Sequence, residues 1–405
     1  MAEGVEPSLR VTDRRAYYHL FASQVLALLA TGIATVALAL LSYDLAGADA
    51  GAVFGTALAI KMAAYILISP VAAALTSRLP RRSLLIAMDG LRAAVALTMP
   101  FAASVWQIYF LIFVFQAASA VFTPVFQATI PELLPEEADY AGALARARLA
   151  YELEGTASPV LAAALLLVVE GPALFVGTAI GFVISAALIL RVALPQPVPR
   201  PGRGVRERLA VGFRAFATTP RLRALAAFGV VSALGTAMVV VNTVVLVNVR
   251  AADHDRATAI GLATFGLGSV IGTLAMPWLL TRRRERNVML TGALLVALSL
   301  VAGTAVQGLR ALLPLWFLIG LGAALATTPY GILIQRSAAR EDKPSLYAAQ
   351  FALSTLALLL AYPLAGWLGV EAGFAATFAT LGVLAALSGL GAAWIWRGDP
   401  KPERA

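Results

Sequence analysis

Long apolar segments follow one another almost without a break from Tyr17 to Trp396, and no other feature constrains the fold so tightly. About 20 consecutive apolar residues, wound as a helix, match the hydrocarbon core of a bilayer. Twelve such stretches can be drawn, at 17–43, 51–77, 83–102, 105–128, 141–168, 172–194, 222–247, 257–280, 287–306, 311–335, 344–368 and 371–396. Lipid offers backbone N–H and C=O groups no water, so each segment must satisfy its own, as a helix does; an open sheet edge cannot, and no alternating pattern runs through these segments. The expected fold class is an all-α polytopic membrane protein.

Composition narrows the function classes. Hydrophobic residues make up 60% of the 405 and charged residues 13%, against about 25% charged in soluble domains. The net charge of +9 does not point to nucleic acid, because the basic residues cluster at the ends of apolar spans. One set of ends holds Arg14 and Arg15, Arg81 and Arg82, Arg282 to Arg286, Arg336 and Lys343, while the opposite loops hold only Arg250, Arg256 and Arg310. The positive-inside rule then puts both termini in the cytoplasm, which requires an even number of spans. A multi-pass protein of the inner (plasma) membrane is expected, with the lipid bilayer as its surroundings. Cysteine is absent and the only histidines are His19 and His254, so no metal site and no cofactor are expected. The N-terminal stretch lacks the form of a cleavable signal.

The chain divides near 195–220. A Pro/Gly-rich stretch, PQPVPRPGRG, leads into VRERLAVGFRAFATT, in which Val205, Leu209, Phe213 and Phe216 share one helical face. This reads as a basic amphipathic helix on the inner membrane surface. It separates an N-terminal unit, 1–194, from a C-terminal unit, 221–405. The two units echo each other at a constant offset: Leu75, Arg78 and Arg82 recur as Leu279, Arg282 and Arg286, and Pro159 as Pro363. Transporters are often built from such repeats, with the substrate site between the halves.

The stretch Ala73-Ala-Leu75-Thr-Ser77-Arg78-Leu-Pro80-Arg81-Arg82 resembles the loop between helices 2 and 3 of the major facilitator superfamily, G-x-L-x-D-R-x-G-R-R. Leu75, Arg78, Arg81 and Arg82 match; Ala73, Ser77 and Pro80 depart from it. The stretch from Met276 to Arg286 resembles a degenerate second copy. The resemblance implies twelve transmembrane helices in two six-helix bundles, and a cytoplasmic gate containing Ser77, Arg78, Arg81 and Arg82, with Asp89 and Arg92 in the charge network around it. Within the superfamily, residues 130–152 and VRERLAVGFRAF resemble the drug-efflux branch that includes siderophore and nickel-resistance exporters. AIKMAAY at 59–65 looks most like the nickel-resistance group, whose members often end in a His-rich tail; RGDPKPERA has none.

A charge deep in a bilayer costs several kcal/mol unless paired or wet, so each one is a functional candidate. Lys61 lies about 15 Å into the second span at 1.5 Å per residue, with Tyr65 one turn on. Either it is a cavity cation, or it snorkels or pairs structurally. In the fifth span Arg148 and Glu152 are four residues apart and suit a local ion pair. Glu154 lies about 200° around the helix from Glu152 and has no basic partner on its own helix. A poorly solvated, unpartnered carboxylate favours its protonated form, so Glu154 is the leading proton-coupling candidate, with Lys61 and Glu152 beside it; the alternative is a partner on another helix, Lys61 foremost. Polar stripes mark a substrate cavity: Gln24, Thr31 and Thr35 on the first span, Gln116, Ser119 and Thr123 on the fourth, Asn242 on the seventh and Thr327 on the tenth. The competing reading is interhelical packing, where Ser, Thr and Gln also serve.

The sequence therefore points to a secondary active transporter, not an enzyme, acting as a monomer on a small-molecule substrate by proton-coupled export. A nickel, other metal or siderophore exporter of the same fold is the alternative, and a non-transporting membrane scaffold or sensor the alternative of another class. No G-x-x-x-x-G-K-[ST] sequence is present to bind a nucleotide.

Overall fold

The structure, a computed structural model, describes residues 14–75, 79–134, 136–194, 205–248, 254–306, 308–337 and 342–398. Ser77 and Arg78 of the expected gate lie outside them, as does the Pro/Gly stretch ahead of the linker helix. Among the described residues fourteen α-helices follow in chain order. The first half holds α1 (Arg14–Ala46), α2 (Ala50–Leu75), α3 (Arg81–Thr98), α4 (Val105–Leu133), α5 (Glu137–Leu165) and α6 (Ala173–Leu190). The linker helix is α7 (Val205–Thr218). The second half holds α8 (Pro220–Asn248), α9 (His254–Arg282), α10 (Glu285–Gly303), α11 (Leu309–Thr327), α12 (Tyr330–Ser337), α13 (Lys343–Glu371) and α14 (Gly373–Ile395). No strand occurs among the described residues.

Among the described residues ten stretches are long and apolar enough to cross a membrane. The shortfall from twelve has two causes. The run Arg14–Ser69 joins α1 and α2 into one candidate of 56 residues. The helix α5 carries Glu137, Asp139, Arg146, Arg148, Glu152 and Glu154, and is too charged to register. The expected tenth span is interrupted: α11 ends at Thr327 and α12 starts at Tyr330, with Pro329 between them. Proline lacks the N–H that would carry the helix ladder through.

Packing repeats between the halves. In the first, α1 packs on α5 and α6, and α4 on α2 and α3; in the second, α8 packs on α13 and α14, and α11 on α9 and α10. Ion pairing repeats as well. Arg81 of α3 pairs with Glu132 of α4 at 2.6 Å. At the same offset as the sequence repeat, Glu285 of α10 pairs with Arg336 of α12 at 2.6 Å, with the charges exchanged. Arg82 donates to the carbonyl of Leu190 at the end of α6, and Arg286 donates to that of Ala393 near the end of α14. These contacts define a basic end of the bundle, which also carries Arg14 and Arg397; the other end is called the far end below.

Much of the perimeter is apolar. Phe101 (82% exposed), Leu274 (74%) and Trp394 (75%) face outward, on a scale that a water-soluble monomer does not tolerate and lipid does. The linker helix differs from its expected single apolar face. Gly212 sits against the backbone of Ser345 on α13 and Phe216 is buried in the core, while Phe213 is exposed. The helix is docked on the second half rather than resting on lipid alone, because a glycine lets its backbone approach α13.

Candidate functional site

At mid-depth, α5 crosses α1 at Gly32. A Cβ at Gly32 would collide with Ser158 and lie 3.2 Å from the carbonyl oxygen of Glu154, so the glycine lets the two helices approach at the turn that carries Glu154. Pro159 lies inside α5 there and supplies no N–H to the carbonyl one turn back. Ser158 is fully buried.

The Glu154 side chain is half-buried, and so is that of Lys61 on α2. Lys61 and Arg92 both lie within electrostatic reach of the Glu154 carboxylate. From the second half, Tyr362 of α13 is within reach of the same carboxylate. No contact-distance ion pair joins Lys61 to Glu154 among the described residues. The two are neighbours across α2 and α5, a juxtaposition that helical spacing alone cannot give. Glu152 lies two residues earlier on α5, and its side chain is outside the description.

Behind this site stands a buried polar core confined to the first half. Asp89 of α3 is fully buried and paired with Arg92 one turn on. Its second oxygen accepts a 2.7 Å hydrogen bond from Ser185 of α6, whose hydroxyl also lies 3.1 Å from the carbonyl of Ser23 on α1. The Arg92 guanidinium lies between the rings of Phe122 and Phe182, 4.4 Å from each centroid. A buried cation on two aromatic faces with a carboxylate partner is well compensated. Asp89 and Arg92 tie α3, α4 and α6 together. At the basic end, Arg81 is buried on Glu132 and Arg82 binds the end of α6.

The polar stripes divide. Gln24, Thr31, Gln116 and Ser119 are buried between helices, whereas Thr35, Thr123 and Thr327 are half-buried. Their hydroxyls bond within their own helices: Thr31 to Ala27 (2.8 Å), Thr35 to Thr31 (3.0 Å), Thr123 to Ser119 (3.1 Å) and Thr327 to Ala323 (2.9 Å). This is the usual way a helix hides a hydroxyl from lipid. Asn242 is fully buried in the seam between the halves. Its amide donates to the carbonyl of Ala365 at 3.1 Å, and its oxygen stands 3.1 Å from where a Cβ of Gly51 would lie.

That seam is what the sequence reading missed. At the far end, α2 and α13 meet backbone to backbone. A Cβ at Gly366 would land on the carbonyl of Gly51, and one at Gly55 would come 2.5 Å from the carbonyl of Tyr362. The glycines at 51, 55 and 366 were the available signal. Trp367 donates to Thr56 across the same seam at 3.3 Å. Arg256 and Asp255 of α9 bind backbone groups between α5 and α6. These hydrogen bonds between the halves lie at the far end, while those of Arg81, Arg82, Arg286 and Arg336 at the basic end stay within one half. Among the described residues no group of three or more His, Cys, Asp or Glu could hold a metal ion.

Known proteins place this architecture. The Mycobacterium tuberculosis protein named multidrug efflux pump Tap is 27% identical over 289 residues, covering 68% of each chain; the Mycobacterium bovis protein of that name matches with the same figures. Among solved structures, a bacterial homolog of the human lysosomal transporter Spinster, inward-facing and occupied, superposes with a TM-score of 0.75 at 14% identity, over 99% of this chain and 100% of that one. The nucleoside transporter NupG gives a TM-score of 0.74 at 12% identity, over 94% and 100%. The family model for the Major Facilitator Superfamily matches residues 20–248 and 252–405. With nearly the whole length matched, and the fold and internal repeat in agreement, the chain belongs to the Major Facilitator Superfamily and is a membrane-embedded transporter of small molecules.

Proposed function

We propose that this transporter exports a small amphipathic molecule by alternating access, driven by proton entry through Glu154. The observation that carries the reading is the constellation at mid-depth: a half-buried carboxylate, a lysine and an arginine within its electrostatic reach in its own half, and a tyrosine from the other half. A carboxylate so placed has two stable conditions, charged against Lys61 or neutral. Rocking of the halves changes which one the surroundings favour, because Tyr362 moves with the second half. Membrane potential contributes about 2.3 kcal/mol per charge per 100 mV to such a step.

The basic end is assigned to the cytoplasm on the positive-inside rule, in a bacterial inner membrane. With the far-end seam closed, this conformation is the one that admits substrate from the cytoplasm. Residues 1–194 and 221–405 are the two rocking units and 195–220 the tether. Resemblance to proteins named as multidrug efflux pumps favours export. Half-buried Thr35, Thr123 and Thr327 are the stripe residues best placed to meet substrate.

The test is reconstitution in proteoliposomes with an internal pH dye and a panel of amphiphilic drugs. Substrate-dependent proton movement should appear with the parent protein and vanish in Glu154→Gln, whose amide keeps the shape and cannot carry a proton. Movement that persists in Glu154→Gln removes Glu154 from the mechanism.

A further inference from the structure

The halves close at the far end through two unlike contacts. One is the glycine seam of α2 and α13. The other is made by adjacent residues in the first turn of α9. Arg256 donates from Nε to the carbonyl of Leu166 at 3.0 Å and from Nη2 to that of Leu167 at 3.2 Å. Both carbonyls lie just past Leu165, the last residue of α5. Helix ends of this sense leave carbonyls without N–H partners and carry the negative pole of the helix dipole. Asp255 accepts from the backbone N–H of Gly171 at 3.1 Å. That N–H stands two residues before α6 begins at Ala173, at a positive pole. One dipeptide of the second half therefore sets a cation on the end of one first-half helix and an anion on the start of the next, each matched in sign. Gly171 admits the carboxylate, since a Cβ there would lie 2.9 Å from Asp255 Oδ2 and 3.2 Å from Leu40 Cδ1.

We infer that Asp255 and Arg256 are positioning residues of the transport cycle: a dipole-matched latch that is made while the far end is closed and released when it opens. The inference rests on the alternating-access reading. The latch works by charge against fixed helix ends, so it is reversible and holds α5, the helix that carries Glu154, against the second half. On the symmetry-related side, where α2 meets α13, the seam uses backbone contact and an uncharged hydrogen bond from Trp367 to Thr56 instead. The two sides of one closure thus differ in chemistry, and only the α5 side is sensitive to the sign of a side chain.

The chain has no cysteine, so a single Thr56→Cys reports seam opening by its reaction with a membrane-impermeant maleimide. Right-side-out and inverted vesicles are both labelled, to identify the face that opens. Arg256→Gln and Asp255→Asn should each raise the labelling rate roughly two- to fivefold, the range expected for one charge at a helix end. The exchange Asp255→Arg with Arg256→Asp, which sets each charge on the wrong pole, should raise it further. Arg256→Lys should stay near the parent. Monodisperse elution of every variant shows that each is folded. Equal rates in the parent and the neutral variants overturn the latch, as does an exchange that labels no faster than the parent. Labelling needs no substrate, so its outcome is separate from that of the Glu154→Gln test, on which the transport reading stands.

Discussion

Asp89 and Arg92 form a buried pair whose described contacts, with Ser185, Phe122 and Phe182, belong to the first half. In the repeat, the positions equivalent to Asp89, Arg92 and Ser185 hold Ala293, Val296 and Gly389, and those equivalent to Lys61 and Glu154 hold Phe265 and Leu358. The same packing scheme therefore closes with apolar side chains in one half and with an ion pair in the other. Removing one partner of a buried pair strands the other, at about 3–5 kcal/mol. Asp89→Ala should lower the melting temperature of the detergent-solubilised protein sharply. Asp89→Ala with Arg92→Val, copying the second half, should recover most of the loss. A double variant that melts no higher than the single one would show that the carboxylate matters for more than neutralising Arg92.

At the scale of the helix, the exchanged ion pairs make a cleaner comparison. The Arg81 and Glu132 side chains are 9% and 12% exposed, those of Arg336 and Glu285 58% and 24%. Burial decides the worth of each. Glu132→Ala should cost about 3–5 kcal/mol, and Glu285→Ala no more than about 1 kcal/mol, read as unfolding in detergent. Arg81→Glu combined with Glu132→Arg should restore what either change alone loses, since the second half already uses that polarity. The helices themselves were legible because hydropathy is a local property. The docked linker helix was less so: Phe213 and Phe216 look equivalent on a wheel, and only the approach allowed by Gly212 decides which is buried.

For the molecule as a whole, the far-end seam determines the conformation. Gly366→Leu would drive a side chain into the carbonyl of Gly51. The protein should still insert and fold, but Thr56→Cys should then label at the rate of an open seam, and export should fail. An unchanged labelling rate would show that α2 and α13 part elsewhere. The sequence showed the apolar helices, because hydropathy is written in residue type, and it showed that Glu154 has no basic residue one turn away, because that is written in spacing. It offered Lys61 as a partner for Glu154 from another helix but could not place it, since spacing along one helix says nothing of the distance to another. Nor did it single out Arg256, whose partners are backbone carbonyls and carry no residue signature.

The reversed polarity of the two ion pairs has a consequence for biogenesis. Two halves of common design are threaded into the same bilayer, and nothing in hydropathy stops α4 from docking on α10, or α3 on the α11–α12 segment. Such a swap would bring Glu132 against Glu285 and Arg81 against Arg336, like sign on like. In these swapped pairings the like charges repel, whereas each helix attracts its own partner in the same half, so the mirrored charges act as a sorting code that keeps each repeat assembling with itself.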